Sequence, residues 1–261
     1  MTNDATTPIL TRNGAIATLR LNRPRHLNRI EPPDLVALAD ALATVEADES
    51  LRVLILTGTG RAFSAGYHLG DLAARPDAAV TTGGPQLSFE DVAIRLENCR
   101  LPVICRLNGG VYGGSTDLAL CCDFRIGVEG MEMFMPAARL GIHYYPSGMV
   151  RYASRLGLNA AKRLFLTAEK LAAPELLAIG YLMQLVPADG LDEAVNTLAQ
   201  RLADMAPLAV QGMKRALNEI ASGQFDAAAC ADRARASQSS EDVKEGLAAF
   251  REKREPVFRG R

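Results

Sequence analysis

The sequence predicts an α/β fold, and three observations support this prediction. Residues 51–57 and 101–107 are apolar, β-branched runs, which are typical of strands buried on both faces. Segments with helical periodicity separate the predicted strands in the first half of the chain. From about residue 147 onward, nearly every segment has this helical periodicity. Strands that alternate with helices, followed by helices alone, predict an α/β core with a helical C-terminal region.

Each predicted element follows from its local pattern. Residues 15–21 alternate as in a strand, and residues 32–45 have the spacing of an amphipathic helix. The predicted strands are residues 15–21, 51–57, 101–107 and 123–128. The predicted helices are residues 32–45, 89–98, 114–120, 147–157, 159–167, 174–179, 191–205, 207–222, 225–236 and 240–253. Residues 75–87 are rich in glycine and polar side chains, which predicts a mobile surface loop.

The composition excludes several functional classes. The 261 residues include 29 basic and 30 acidic side chains, so the net charge of −1 provides no general positive field for nucleic acid or anionic lipid. No apolar run approaches the length of a membrane span, and the N-terminus lacks the basic and apolar regions of a signal peptide. We therefore expect neither a nucleic-acid partner nor a membrane.

Cysteine usage indicates a reducing compartment. None of the five cysteines has zinc-binding or redox spacing, and Cys121 and Cys122 lie in an apolar run typical of core thiols. We expect a cytoplasmic protein without a metal site. The five are Cys99, Cys105, Cys121, Cys122 and Cys230.

In two stretches a predicted strand leads into a glycine-rich loop and then into a predicted helical segment. They are TGTGRAFSAGYHLGDL (residues 57–72) and RLNGGVYGGSTDLALCCDFRI (residues 106–126). Neither is a nucleotide-binding fingerprint. Each directs unpaired backbone N–H groups and the positive end of a helix dipole toward one point. Two N–H donors that converge from two loops are what an oxyanion hole for a carbonyl group requires, although each stretch taken singly is also explained by tight turns.

Taken together, these stretches resemble the crotonase (enoyl-CoA hydratase/isomerase) superfamily. The resemblance extends from residue 16 to the C-terminus, through IATLRLNRPRHLN, both glycine-rich stretches and EGLAAFREKREPVFRGR. It implies a spiral of ββα turns, with an acyl-CoA-binding core at residues 1–195 and a helical trimerisation region at residues 196–261. It also implies a homotrimer or a dimer of trimers. Coenzyme A is expected as part of the substrate thioester, with no permanently bound cofactor.

The resemblance also implies roles for single residues. The oxyanion-hole donors of the family correspond to the backbone N–H groups of Tyr67 and Gly114, which would stabilise a thioester enolate. The residues that match coenzyme A contacts are Arg25, after the Asn-Arg-Pro turn, Ala65 in the first glycine-rich stretch, and Lys253 and Phe258 near the C-terminus.

The sequence departs from the family pattern at the catalytic acids. Hydration of a 2-enoyl-CoA uses two glutamates as base and acid. Asp117 stands at the first position, where catalysis and a favourable interaction with the helix dipole are both open explanations. Ala137 stands at the second position and cannot transfer a proton. The loss of such an acid normally reduces a rate by about 10²–10⁴.

The stretch LGIHYYPSG, residues 140–148, begins three residues after Ala137. Members of the family that it resembles carry replacement acids and bases in this segment, so His143, Tyr144 and Tyr145 are candidate catalytic residues. A locally hydrogen-bonded histidine and an aromatic wall for the acyl chain are the alternatives. With Tyr67 and Tyr112 on the glycine-rich loops, four of the six tyrosines are expected around one cavity.

Three functions remain open at this point. The first is an enoyl-CoA hydratase/isomerase in which Asp117 is the surviving carboxylate. The second is a decarboxylase of the methylmalonyl-CoA type, or a hydrolase, that uses the Tyr/His loop. The third is a catalytically silent acyl-CoA binder, which the missing acid suggests and the two complete glycine-rich loops argue against.

Overall fold

The computed structural model describes residues 6–68 and 87–261, and this part of the chain contains ten strands and ten helices. The strands are β1 (Ile9–Asn13), β2 (Ile16–Leu21), β3 (Val53–Gly58), β4 (Ala62–Ser64), β5 (Val103–Leu107), β6 (Gly110–Tyr112), β7 (Phe124–Val128), β8 (Glu132–Phe134), β9 (Lys170–Ala172) and β10 (Gln184–Val186). The helices are α1 (Pro32–Ala47), α2 (Phe89–Glu97), α3 (Gly114–Cys121), α4 (Pro146–Leu156), α5 (Leu158–Lys162), α6 (Ala173–Ala178), α7 (Leu191–Ala203), α8 (Pro207–Ala221), α9 (Ala227–Gln238) and α10 (Glu241–Glu252).

The larger sheet has six strands in the order β1-β2-β3-β5-β7-β10. Only β1 and β2 pair in antiparallel fashion, and the other neighbours are parallel. All six residues of β3 are buried, as the apolar run at residues 51–57 predicts. One core lies between this sheet and helices such as α1 and α2, and a smaller core on the other face includes Val195 and Ala199 of α7.

The smaller sheet has four strands in the order β4-β6-β8-β9. Successive turns of the chain place one strand in the larger sheet and the next in the smaller sheet, as in β3–β4, β5–β6 and β7–β8. A helix follows, seen most simply in β5–β6–α3. This spiral of ββα turns confirms the predicted fold class.

The long elements match their predicted positions, and the short ones do not. Six strands lay outside the predicted set: β1, β4, β6, β8, β9 and β10. Five of them have only three residues, too few for alternation to be recognised. The predicted helix at residues 159–167 is α5 followed by a π-helical turn, Arg163–Thr167. Of the predicted loop at residues 75–87, only Leu87 lies within the described residues.

The C-terminal helices are attached to the core through α8. The Lys214 ammonium lies 2.7 Å from the Asp123 carboxylate and donates to the carbonyl oxygen of Leu101 at 2.7 Å. Asn218 donates to the carbonyl oxygen of Glu97 at 2.9 Å. The predicted boundary at residue 195 falls inside α7, and the division into two regions stays a prediction. Within residues 6–68 and 87–261, no helix has both the length and the apolar character needed to cross a bilayer.

Candidate active site

Two loops meet at one edge of the smaller sheet. β4 and β6 are parallel neighbours, with Ser64 opposite Val111, so the loops that follow them leave the sheet side by side. The first loop begins at Ala65 after β4, and the second is Gly113, which connects β6 to α3. The sequence predicts both glycine-rich stretches, and the strand pairing brings them together.

Glycine allows the two loops to approach each other. Gly66 has a φ of +90°, and a Cβ built there would lie 2.6 Å from the carbonyl oxygen of Tyr112 and 3.3 Å from the backbone nitrogen of Gly114. Gly113 also has a positive φ, +54°. A side chain is disfavoured in both conformations. The first loop and the start of α3 are therefore nearly in contact.

A helix N-terminus and a β-bridged segment meet at this junction. Gly114 is the first residue of α3, so its N–H is one of the four at a helix N-terminus that lack an intrahelical partner, and the helix dipole adds positive charge there. On the first loop, Tyr67 forms a parallel β-bridge with Ile30. In this bridge Ile30 N–H donates to Gly66 O at 2.9 Å, and His68 N–H donates to Ile30 O at 3.0 Å. The bridge fixes the backbone orientation of Tyr67.

Phe89 covers the junction between the loops, and sequence reasoning missed it. Its ring lies edge-on to that of Tyr67, with 5.8 Å between the ring centroids. A Cβ on Gly114 would lie 3.2 Å from the Phe89 Cζ. Phe89 is the first residue of α2, which begins with a capping box between Ser88 and Asp91. The capping box indicates where the helix begins, but no local signal indicates what its first residue covers.

Asp117 lies in the first turn of α3 and is fully buried. Its Oδ2 accepts a hydrogen bond from the Tyr145 hydroxyl at 2.6 Å and forms an ion pair with Arg151. Its Oδ1 has no hydrogen-bond partner among residues 6–68 and 87–261. One carboxylate oxygen therefore fixes the orientation of the group, and the other remains able to accept a proton or a hydrogen bond.

Arg151 links Asp117 to a second carboxylate. Its side chain is 1% exposed, and its other terminal nitrogen lies 2.9 Å from an oxygen of Glu97. The second oxygen of Glu97 lies 3.2 Å from the guanidinium of Arg155. In this network the positive charges of Arg151 and Arg155 balance the negative charges of two carboxylates, Asp117 and Glu97. Such pairing permits an ionised carboxylate at a fully buried position. Sequence reasoning did not identify this network because its members are 20 to 58 positions apart, except for Arg151 and Arg155.

Tyr144 and Tyr145 extend the hydrogen bonding from Asp117. The Tyr144 hydroxyl donates to that of Tyr145 at 3.2 Å, and the two rings stack with 4.2 Å between their centroids. Burial first, and then the negative charge of Asp117, raise the pKa of both phenols well above the ordinary value. Both tyrosines are therefore protonated near neutral pH, and the Tyr145 hydroxyl is the donor to Asp117.

Gly148 makes room for the stacked rings. A Cβ at Gly148 would lie 2.9 Å from Cε2 of Tyr145 and closer still to the ring of Tyr144. On the other side, the Tyr144 ring lies 5.1 Å from that of Phe165, and the Tyr145 ring lies 6.3 Å from that of Phe89. Aromatic contacts thus run from the first loop, through Phe89, to the stretch that follows Ala137.

Two of the predicted residues lie apart from this group. His143 is exposed, and its Nδ1 lies 2.7 Å from the carbonyl oxygen of Tyr144, so its ring is hydrogen-bonded locally. The expectation that Tyr112 joins the other tyrosines was wrong. Its hydroxyl donates to Glu132 at 3.1 Å, and it makes no ring contact with the other tyrosines among the described residues. Ala137 is buried in a short 3₁₀ turn, Ala137–Leu140.

The residues expected to contact coenzyme A lie in two places. Arg25 is exposed in a 3₁₀ turn, Pro24–His26, and this turn is tied to the first loop because Ala65 N–H donates to Leu27 O at 2.7 Å. Lys253 is exposed just after α10 and has a φ of +54°. Phe258 lies in the C-terminal tail, and a Cβ on Gly246 would lie 3.5 Å from its ring.

Metal ligation has no candidate residues in the described structure. Within residues 6–68 and 87–261, no three His, Cys, Asp or Glu side chains are placed to hold an ion together.

Comparison with known proteins identifies the family. The sequence model described as enoyl-CoA hydratase/isomerase matches residues 11–261. The chain belongs to this family. It is 33% identical over 254 residues to a crotonyl-CoA hydratase from Syntrophomonas wolfei, with 96% of each chain covered. It is 34% identical over 261 residues to a carnitinyl-CoA dehydratase from Salmonella heidelberg, covering 97% of this chain and 98% of the relative.

Solved structures of the enoyl-CoA hydratase/isomerase family have the same fold. The described structure matches an enoyl-CoA hydratase/carnithine racemase from Magnetospirillum magneticum with a TM-score of 0.89 and 30% identity, covering 98% of this chain and 96% of that one. It matches an enoyl-CoA hydratase from Bacillus anthracis with a TM-score of 0.86 and 28% identity, covering 98% and 100%. Members of the family are enzymes of the hydratase and isomerase type that act on coenzyme A thioesters, so this protein is an enzyme.

Proposed function

We propose that the enzyme binds the thioester carbonyl of an acyl-CoA at the backbone N–H groups of Tyr67 and Gly114 and stabilises the enolate that forms there. The observation that carries the proposal is the approach of the two loops, in which a Cβ on Gly66 would lie 3.3 Å from the Gly114 nitrogen. Donors from two rigid segments reach one oxygen only when the segments are this close. One such donor typically contributes about 2.7–4 kcal/mol to transition-state stabilisation.

In the hydratase/isomerase reaction, Asp117 is the proton-transferring group. It follows Gly114 by three residues, on the same helix, so it lies one turn beyond the oxyanion donor. Its Oδ1 accepts a proton or holds a water, while Tyr145 and Arg151 hold Oδ2. Ala137 supplies no second acid, so we expect slow hydration of short 2-enoyl-CoAs.

A second candidate function is decarboxylation of a malonyl-type thioester, and the protonated Tyr145 favours it. Loss of carbon dioxide forms the enolate without a general base, so the absence of a glutamate at Ala137 has no cost for that step. The enolate then needs a proton donor, and the Tyr145 phenol, hydrogen-bonded to Asp117, is a neutral acid near the junction. The exposed, locally bonded His143 gives this alternative less support than the tyrosine does.

Two reactions and two variants test these proposals. Crotonyl-CoA hydration and carbon dioxide release from methylmalonyl-CoA are measured for the wild type, Asp117→Asn and Gly66→Ala. Gly66→Ala places a Cβ against the Tyr112 carbonyl and is expected to abolish either activity by opening the oxyanion hole. Asp117→Asn is expected to abolish hydration and to spare decarboxylation. Rapid hydration by Asp117→Asn would contradict the role of Asp117, and thioester binding without turnover would indicate a silent binder.

The coenzyme A portion of the substrate is proposed to lie against Arg25 and Ala65. A guanidinium is suited to a phosphate, and the hydrogen bond from Ala65 to Leu27 couples this turn to the loop that holds the thioester. Lys253 and Phe258 are proposed to contact the coenzyme of a neighbouring subunit.

We propose a homotrimer or a dimer of trimers as the assembly. The C-terminal helices expose large apolar side chains that an isolated subunit leaves in water, which favours association. These include Met213, Leu217, Ile220, Leu247 and Phe250, of which Phe250 is 84% exposed. Sedimentation equilibrium measures the mass directly, and a monomer at micromolar concentration would contradict the proposal.

A further inference from the structure

Two buried serines connect the loops that form the junction. Ser115 follows Gly114 directly, and Ser64 precedes Tyr67 by three residues. The Ser115 Oγ donates to the Ser64 Oγ at 2.5 Å, and both side chains are 0% exposed. This hydrogen bond joins segments that are 51 positions apart in the sequence.

The direction of this hydrogen bond follows from its neighbours. The Ser64 hydroxyl donates its only hydrogen to the carbonyl oxygen of Asn28 at 2.7 Å, because a carbonyl oxygen cannot donate. The same Ser64 oxygen accepts from Gly66 N–H at 3.1 Å. Ser115 must therefore supply the hydrogen in the bond between the serines. The chain Ser115 to Ser64 to Asn28 has only one arrangement of hydrogens, so it has little freedom to rearrange.

The end of this chain is itself held rigidly. Asn28 is 1% exposed and has a φ of +55°. Its side-chain nitrogen donates to the carbonyl oxygens of Thr59 at 2.8 Å and Ala62 at 2.9 Å. Asn28 thereby holds the segment that leads into β4, and its own carbonyl oxygen accepts the hydrogen bond from Ser64 at the end of that strand.

We propose that the hydrogen bond between Ser115 and Ser64 positions the oxyanion hole, by fixing the distance between the N–H groups of Tyr67 and Gly114. The inference rests on the proposed function, and it makes Ser115 a positioning residue that touches no substrate atom. Misplacement of a reacting group by about 1 Å can reduce a rate by about 10²-fold. A buried hydrogen bond that fixes the separation of the two donors therefore preserves the rate.

Ser115→Ala tests the proposal most directly. The variant removes the hydrogen bond that the Ser115 hydroxyl donates to Ser64. Ser64 keeps its own hydrogen bonds to Asn28 and Gly66. The matched control is Thr57→Val. Thr57 is also 0% exposed, and its hydroxyl donates to the carbonyl oxygen of Arg106 at 3.0 Å between the paired strands β3 and β5, rather than between the loops that follow β4 and β6. Ser115→Cys is a second variant that keeps a weak donor of similar size. Circular dichroism and thermal melting verify that each variant folds.

The readout is the carbonyl stretch of bound butyryl-CoA, labelled with ¹³C at the thioester carbon and measured by infrared difference spectroscopy. Polarisation by two N–H donors lowers this frequency in the wild type. We expect Ser115→Ala to lose at least half of the shift, Ser115→Cys to lose less, and Thr57→Val to retain it. For the substrate that the wild type turns over, we expect kcat to fall about 10- to 100-fold in Ser115→Ala with little change in KM.

The failures of the two proposals are distinguishable. A wild-type enzyme that binds butyryl-CoA without any shift would overturn the oxyanion hole and, with it, the positioning role. A normal wild-type shift that persists in folded Ser115→Ala would overturn the positioning role alone. An equal loss in Ser115→Ala and Thr57→Val would also overturn it, because the effect would then follow from any buried hydroxyl.

Discussion

The Tyr145 hydroxyl donates to Oδ2 of Asp117 at 2.6 Å, which joins the stretch after Ala137 to the carboxylate one turn beyond Gly114. This contact brings together the two parts of the sequence that depart from the family pattern. The side chain that approaches Asp117 is a tyrosine from the stretch that follows Ala137. The contact leads to the first of the following predictions.

Tyr145→Phe is expected to reduce turnover much more than Tyr144→Phe. Removing the Tyr145 hydroxyl breaks its bond to Asp117 and leaves the Tyr144 hydroxyl without its acceptor, whereas Tyr144→Phe removes only the outer donor. We expect a loss of about 10²–10⁴ in kcat for Tyr145→Phe, the range of general acid–base catalysis, and less than about tenfold for Tyr144→Phe. Steady-state kinetics measures both variants with whichever of crotonyl-CoA and methylmalonyl-CoA the wild type turns over. A larger effect for Tyr144→Phe would contradict the conclusion that Tyr145, rather than Tyr144, acts directly on Asp117.

Arg151→Met is expected to destabilise the fold strongly. It leaves the buried Asp117 carboxylate without its ion-pair partner, a change that costs about 3–5 kcal/mol in the free energy of unfolding. Urea denaturation measures this value. Arg235→Met is the matched control, since Arg235 pairs with Asp232 where both side chains are about two-thirds exposed, and such pairs contribute almost nothing. Equal stability of the two variants would show that the buried pair is not needed.

Most tyrosines are expected to resist ionisation in the folded protein. Burial is the main cause that raises the pKa of four of the six well above the ordinary value of a tyrosine. The four are Tyr144, Tyr145, Tyr152 and Tyr181. Phenolate absorbance at pH 11 should therefore correspond to no more than two tyrosines, and the others should ionise only on unfolding. The sequence contains no tryptophan that would interfere.

This titration has a consequence for stability. A group whose pKa is raised in the folded state stabilises the fold fully below its unfolded pKa, and this contribution is lost as the pH rises toward the folded value. The free energy of unfolding should therefore fall steadily above about pH 10, where unfolded tyrosines ionise. Ionisation of all six tyrosines at pH 11 with unchanged circular dichroism would contradict the burial of Tyr152 and Tyr181, which are both 0% exposed.

Gly148→Ala is expected to disturb the stacked tyrosines. The added methyl group would overlap the rings of Tyr144 and Tyr145, and overpacking of this kind costs about 1–3 kcal/mol. Gly212→Ala in α8 is the control, because its Cβ would meet only the Arg233 Cβ at an ordinary 3.6 Å and helix propensity favours alanine. Chemical unfolding should show a loss for the first variant and no loss for the second. A neutral Gly148→Ala would show that the rings can shift freely.

Arg25→Gln is expected to weaken binding of the coenzyme and leave the chemical step intact. We expect KM for the acyl-CoA to rise about tenfold with unchanged kcat, because a charge-assisted phosphate contact is lost away from the thioester. The matching acyl-pantetheine substrate lacks the nucleotide phosphates and should show no difference between the variant and the wild type. Arg29→Gln serves as a control, since Arg29 already pairs with Glu31. A loss that is equal with both substrates would exclude a phosphate contact by Arg25.

Sequence patterns predicted the long buried elements and the chemistry of the loops, but not the contacts between them. The apolar run at residues 51–57 contains most of β3, whose six residues are all buried, and positive φ values favour glycine at positions 66 and 113. The three-residue strands β4 and β6 are too short for periodicity to be detected, yet their pairing sets the two loops side by side. Tyr112 was wrongly grouped with the other tyrosines because closeness in sequence to Gly113 does not determine where its ring points.

The sequence by itself determined the family, the fold class and the two glycine-rich stretches, since motifs and hydrophobic patterns are local properties of the chain. Only the tertiary structure decided which residues meet: Arg151 with Asp117, Tyr145 with the same carboxylate, and Ser115 with Ser64. These pairs are separated by 34, 28 and 51 positions. Contacts over such separations depend on how strands and helices pack, and a local sequence pattern does not specify that packing.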